Sequence, residues 1–302
     1  MQVSTIISAK IQFLSILCCV LLACTISPNT FAQEKENKEQ EWHYTLRPSD
    51  NLQQVSKQLL NTKHTWSDLV RYNSIDNVAS LEPGSIIRVP MKWLKHQPKP
   101  AKVMSISGSA QVKRTKASYF KNLKANMPIY VGDEIATKNG TLLIKLADGT
   151  IIRLEKDSNL IFNKLSHYGQ TGMVDTRMRL KRGSLSTEVT PLVKGSRYEI
   201  TTPSAVAAVR GTKFRIESSK GETKVEVTEG TVDFSHKHGK IAVHAGEGAR
   251  VKQGSTSIER SYLPVAPKAQ FADNTITDLP TKLQWEDRQN STGYRYELSD
   301  NN

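Results

Sequence analysis

The chain predicts a mainly β protein preceded by a small α+β module. Three observations carry this. Gly140-Thr141, Gly149-Thr150, Gly183-Ser184, Gly211-Thr212 and Gly230-Thr231 each stand at a turn ahead of a run that alternates apolar and polar residues. No segment from 103 to 258 shows convincing helical spacing. Residues 42–90 do show it, between two short strand-like runs. Alternation with period two gives a strand one buried and one wet face, whereas apolar residues three and four apart line one face of a helix.

The N-terminus reads as a leader. Ile11 to Ile26 is apolar apart from Gln12, Ser15 and Thr25, and Lys10 is the sole charge before Glu34. Thr30 and Ala32 then flank Phe31, which has the form of a signal peptide at 1–32 with cleavage after Ala32. The run falls short of the about 20 apolar residues a membrane span needs. Leu21-Leu22-Ala23-Cys24 resembles a lipobox and leaves open a lipid-bearing Cys24; an uncleaved anchor is the third reading. Cleavage places the mature chain outside the cytoplasm, in the periplasm, with no membrane span after the leader.

Cys18, Cys19 and Cys24 all lie in that leader. The mature chain then holds no disulfide framework, no thiolate metal site and no cysteine nucleophile. Packed cores must supply the stability. The formal charge of +13 drops by the one unit of Lys10. From Pro83 to Gly132 there is no Asp or Glu, against Arg88, Lys92, Lys95, Lys99, Lys102, Lys113, Arg114, Lys116, Lys121 and Lys124. Such a field attracts polyanions of the envelope or is a solvated basic stretch. Nucleic acid is excluded as a partner, because no stacking series of aromatics or groove helix accompanies the charge.

Residues 33–41 read as a disordered lead-in, and 42–90 as strand–helix–helix–strand. His43 to Leu46 is the first strand. Asp50 or Asn51 caps a helix with Leu52, Val55, Leu59 and Leu60 on one face. Thr65-Trp66-Ser67-Asp68 opens a second helix in the form of a capping box with Asp replacing Glu. Leu81-Glu82-Pro83-Gly84 is a turn, and Ile86-Ile87-Arg88-Val89-Pro90 closes the module. Residues 91–102, with Pro98 and Pro100 among lysines, read as an extended linker.

Residues 42–90 resemble a LysM domain. The resemblance rests on Tyr44-Thr45-Leu46, Asp50-Asn51-Leu52, Leu69, Tyr72-Asn73-Ser74-Ile75, Leu81-Glu82-Pro83-Gly84 and Ile86-Ile87-Arg88-Val89-Pro90. It implies a βααβ fold that binds peptidoglycan or a related N-acetylglucosamine glycan. The implied groove lies between two loops and is formed by Ser49, Asp50, Asn51, Leu52, Asn73, Ser74, Ile75, Asp76 and Asn77. Ser49 stands where the family usually has Gly, and Asn51 where it has Thr. A spacer or protein-contact role for the module stays open beside glycan binding.

Residues 103–258 predict an all-β sandwich, barrel or stacked coil of short strands and Gly turns. Ala147-Asp148-Gly149-Thr150 is the strongest hairpin signal. The zone looks like a FecR domain over about 105–251. The carrying residues are Gly132-Asp133-Glu134-Ile135-Ala136-Thr137, Leu146 to Thr150, Leu180 to Leu185, Thr202 to Phe214, Val225 to Val232, and Ala245-Gly246-Glu247-Gly248. FecR-type proteins relay a transporter's state to a sigma factor, usually across one membrane span. With no span expected after the leader, the resemblance implies an exported β domain that contacts other proteins. Within it, Arg210 is expected to tie loop carbonyls or Glu229 at the core's edge.

Chemistry-bearing constellations are sparse. His236, His238 and His244 read as exposed turn histidines rather than a metal site. Asp133, Glu134, Asp148, Glu155 and Asp157 fall in turns and strand rims, with no cleft marked for a catalytic carboxylate pair. No nucleophile elbow, phosphate loop or metalloprotease helix is present, so no enzyme and no cofactor is expected. Trp42, Trp66, Trp93 and Trp285 read as core or module-edge residues. Residues 259–302 read as a linker and the opening strands of an immunoglobulin- or fibronectin-like segment. The resulting function is a non-enzymatic envelope protein tethered to glycan. A periplasmic FecR-type regulator with a separate membrane partner is the alternative, and the non-catalytic part of a cell-wall hydrolase the third reading.

Overall fold

The structure, a computed structural model, describes residues 40–265 and Trp285. The leader, most of the lead-in and nearly all of the tail segment lie outside the described residues. Among those described, no helix is long and apolar enough to cross a membrane.

The N-terminal module runs β1 (Glu41–Thr45), α1 (Leu52–Leu59), α2 (Trp66–Tyr72) and β2 (Ile86–Pro90). Strands β1 and β2 pair antiparallel, from Glu41 opposite Pro90 to Thr45 opposite Ile86. The first strand thus starts at Glu41, inside the expected lead-in. Asn51 caps α1 by accepting the Gln53 N–H at 2.8 Å. The Asp68 carboxylate accepts the Thr65 N–H at 2.8 Å and its hydroxyl at 3.2 Å. Leu52, Val55, Leu59, Leu60 and Leu69 are buried with Ile87 and Val89 of β2, as the helical spacing requires.

The expected linker at 91–102 is folded, which corrects the composition-based reading. Leu94 is buried, forms a bridge with Leu60, and Lys95 N–H donates to Leu59 O at 2.6 Å. Trp93 stacks on His64 with ring centroids 4.3 Å apart. Proline and lysine content predicted extension, but Met91, Trp93 and Leu94 bring enough apolar surface to hold the segment down. The module's core also takes in Met173, fully buried although it belongs to the following zone.

That zone holds eighteen more strands: β3 (Gln97–Pro98), β4 (Ala101–Ser107), β5 (Ala110–Lys113), β6 (Lys121–Asn122), β7 (Pro128–Ile129) and β8 (Glu134–Thr137). Then come β9 (Thr141–Lys145), β10 (Ile151–Leu154), β11 (Asn159–His167), β12 (Val174–Glu188), β13 (Arg197–Thr201) and β14 (Val206–Val209). The chain continues through β15 (Lys213–Ser219), β16 (Glu222–Glu229), β17 (Thr231–His236), β18 (Gly239–His244), β19 (Glu247–Lys252) and β20 (Glu259–Tyr262). Strand β20 pairs with β19, so the β unit runs past the expected boundary at 258.

The ladders resolve into two sheets. One runs β6-β5-β8-β11-β12-β13-β14-β17-β18, with β3 joining β11 beyond the end of β8. The other runs β7-β4-β9-β10-β12-β15-β16-β19-β20. All pairings are antiparallel except β12 with β13. Both sheets end in strands laddered on one side, so the architecture is a two-layer sandwich and not a closed barrel. Their inner faces share one core, with Phe162, Met178, Ile200 and Phe234 from the first and Ile144, Ile152, Ile216 and Val227 from the second. Tyr198 OH reaches Thr187 Oγ1 at 3.4 Å between the layers, and burial raises the phenol's pKa.

The 15-residue β12 belongs to both sheets. It turns from one to the other at Gly183, where φ is +92° and a Cβ would lie 2.4 Å from Ser158 Cα. The glycine predicted to make a turn between strands instead makes a corner inside one strand, because only a residue without Cβ passes Ser158 so closely.

Candidate functional site

The polar residues of the two predicted glycan loops are mostly committed within their own module. Asp50 accepts from Tyr44 OH at 2.5 Å and from Arg47 N–H at 2.8 Å. The tyrosine bond, then the amide bond, hold its carboxyl below the usual carboxylate range. Asn51 is the α1 cap, and Leu52 is in the core. Asn73 donates to Leu69 O and Arg88 O and accepts from Arg88 N–H, joining the end of α2 to β2. Asn77 caps a short 3₁₀ turn through Ala79 N–H. Ile75 packs on the module core. Ser49, Ser74 and Asp76 are exposed. A cleft of about 500 Å³ does open beside Asp50, lined by Trp42, Tyr44, Arg47, Gln58 and Thr171 among others. It takes in Asp50 and none of 73–77.

Arg210 is exposed and makes no hydrogen bond or ion pair among the described residues. The expected tie to Glu229 is absent; that exposed carboxylate instead faces Lys213 across the ladder at 3.9 Å. The Val209–Thr212 turn is held by packing and by backbone instead. Val189 N–H donates to Thr212 O, and Thr212 Oγ1 donates to Thr231 O, both at 3.0 Å. Among the described residues no cluster of three or more His, Cys, Asp or Glu could hold a metal.

The carboxylates Asp133 and Glu134 form a buried charge lock. Asp133 accepts from Tyr130 N–H at 2.8 Å and pairs with Arg114. Glu134 takes Lys113 at 2.8 Å, Lys181 at 2.9 Å and Asn159 Nδ2 at 2.8 Å. Lys113, then Lys181, pull the Glu134 pKa down to about 2. Asp148 instead builds the hairpin it predicted, accepting Thr150 N–H and Oγ1 at 3.0 Å each.

A shallow groove of about 360 Å³ crosses the outer face of the second sheet. Ladder register sets most of its residues on two rungs. One runs Leu143–Arg153–Ser186–Arg215–Glu226, the other Lys145–Ile151–Glu188–Lys213–Glu229. Ile151, 41% exposed, and Leu143 give it an apolar strip. Arg215 pairs with Glu226 and Lys213 with Glu188, both at 3.7 Å, and Arg153 with Glu155 at 3.1 Å, so each cation lining the groove has a carboxylate partner and the rim charges balance. An apolar strip with a balanced polar rim is the anatomy of a protein contact. The groove was missed in the sequence, although Leu142-Leu143 and Ile151-Ile152 break the alternation by placing an apolar residue on the wet face.

Residues 133–233 match the family model described as FecR protein. Those residues are a FecR domain. The FecR domain contains every lining residue of the groove and opens on Asp133 and Glu134. It occupies the middle of the sandwich, which extends from β3 to β20. Two crystal structures of a proposed anti-sigma factor from Parabacteroides distasonis, at 2.50 and 1.65 Å resolution, are similar to the chain at 17% identity and a TM-score of 0.36. The likeness covers 43% of this chain and 59% of that one. No curated protein sequence matched.

Proposed function

We propose that the protein is a non-enzymatic, exported regulator of FecR type, which receives a segment of an envelope protein on its second sheet and works with a separate membrane partner. The observation that carries this reading is the groove. Its apolar strip and balanced rim lie wholly within the matched FecR residues. Export rests on the apolar leader at 1–32. A photoreactive amino acid at Ile151 in the living cell tests the reading. It yields a defined protein adduct that an Ile151→Glu, Leu143→Glu chain, probed from Arg153, does not form. Equal adducts from Lys220, on a hairpin outside the groove, would remove the groove from the account.

A second reading gives the N-terminal module a tether to N-acetylglucosamine glycan. The βααβ order and the cleft beside Asp50 support it. Co-sedimentation of the protein with purified peptidoglycan decides it, and a chain that stays in the supernatant leaves the module as a structural partner of the sandwich.

A further inference from the structure

The C-terminal part of the acid-free stretch, around the β5–β6 hairpin, presents several exposed lysines and rings on one surface. Strands β5 and β6 pair Gln111 with Asn122 and Val112 with Lys121. The loop between them lies against 130–132, where Thr115 Oγ1 donates to Val131 O at 3.3 Å. Three cations sit over rings there: Lys113 over Phe120 at 5.2 Å, Lys121 over Tyr119 at 5.3 Å, and Arg114 over Tyr130 at 5.4 Å. These contacts make 113–121 and 130–131 contiguous.

Two of those cations are already paired with carboxylates. Lys113 and Arg114 are spent on Glu134 and Asp133. The nearby acids Asp133 and Glu134 are therefore buried and paired. Lys116, Lys121 and Lys124 remain exposed and make no ion pair among the described residues. Beside them Tyr119 is 60% exposed, Tyr130 50% and Val131 42%.

We infer that this hairpin surface docks on an anionic phospholipid bilayer. Lysines at the rim of exposed tyrosines match such a surface: the cations meet lipid phosphates while the amphipathic rings and Val131 enter the headgroup layer. A protein partner fits less well, because lysine is depleted from protein interfaces. The assignment is independent of the groove, which lies on another surface and shares no residue with this one.

Vesicle co-sedimentation of the protein as purified from its producing cell tests this. The expected result is retention on phosphatidylglycerol-containing vesicles well above that on phosphatidylcholine vesicles, falling as salt rises. An apolar leader, if retained, adds equally to both vesicle types and leaves the difference readable. Each lysine removed lowers partitioning about fivefold, so Lys116→Gln, Lys121→Gln, Lys124→Gln abolishes the difference. Tyr119→Ser with Tyr130→Ser weakens retention with an unchanged circular dichroism spectrum. Equal retention on both vesicle types, an undiminished triple variant, or binding only to an acidic peptide such as polyglutamate would overturn the inference.

Discussion

Gly230 packs on Gly211. A Cβ on Gly230 would lie 2.7 Å from the Gly211 carbonyl oxygen, and one on Gly211 would lie 2.9 Å from Pro191 Cα. Both residues have positive φ, +80° and +94°. The turns ending β14 and β16 thus stack at one end of the sandwich, at a spacing only glycine allows.

Gly230→Ala and Gly211→Ala are each expected to cost about 1–3 kcal/mol for the backbone alone, and more for the contact. Gly149→Ala, also at positive φ but with nothing within 4 Å of its Cβ, isolates the backbone share. Urea midpoints measure both. Equal losses at 149 and 230 would show that the stacking contributes nothing.

Glu134 makes stability depend on pH at the acid end. Its folded pKa of about 2 lies below the unfolded value of 4.5. Between the two the unfolded chain binds more protons, so the contribution is complete above about pH 4.5 and lost as pH falls to about 2. Glu134→Gln is expected to lower stability at pH 7 and to flatten the urea midpoint across that window. A variant with the wild-type slope would assign the acid sensitivity elsewhere.

Met173→Ala is expected to cost about 2–5 kcal/mol. Its side chain completes the core of the N-terminal module. Hydrogen exchange is therefore expected to accelerate in α1, α2 and β2, far away in sequence. Faster exchange confined to β11 and β12 would contradict a shared core.

Arg210→Ala is expected to leave stability within about 0.5 kcal/mol of wild type, because the exposed side chain has no partner among the described residues. A thermal melt checks it. A drop of several degrees would restore the role in holding the turn that the sequence predicts.

Features set by neighbours in sequence were legible. Asp148 two residues before Thr150, Asn51 before Gln53 and the inward face of α1 are all decided within one turn of chain. Features set by distant approaches were not. Gly183 is a corner because of Ser158, and Leu94 is buried because Leu60 waits for it. Glu229 is satisfied by the lysine that the ladder sets opposite it. The groove was not read from the sequence, although Leu143 and Ile151 sit out of phase in their strands. Only the ladder register reveals that they lie on neighbouring rungs of one face.

The burial of Met173 also has a mechanical side. A pull on the N-terminal module reaches the β11–β12 hairpin through this packing as well as through the chain that leads from Pro90 into β3 and β4. Both strands of the hairpin are bonded on either flank, and β12 is bonded into each sheet in turn. Tension arriving there finds no free strand end to peel. It meets several ladders together, so the module is joined to the middle of the sandwich and not to its rim.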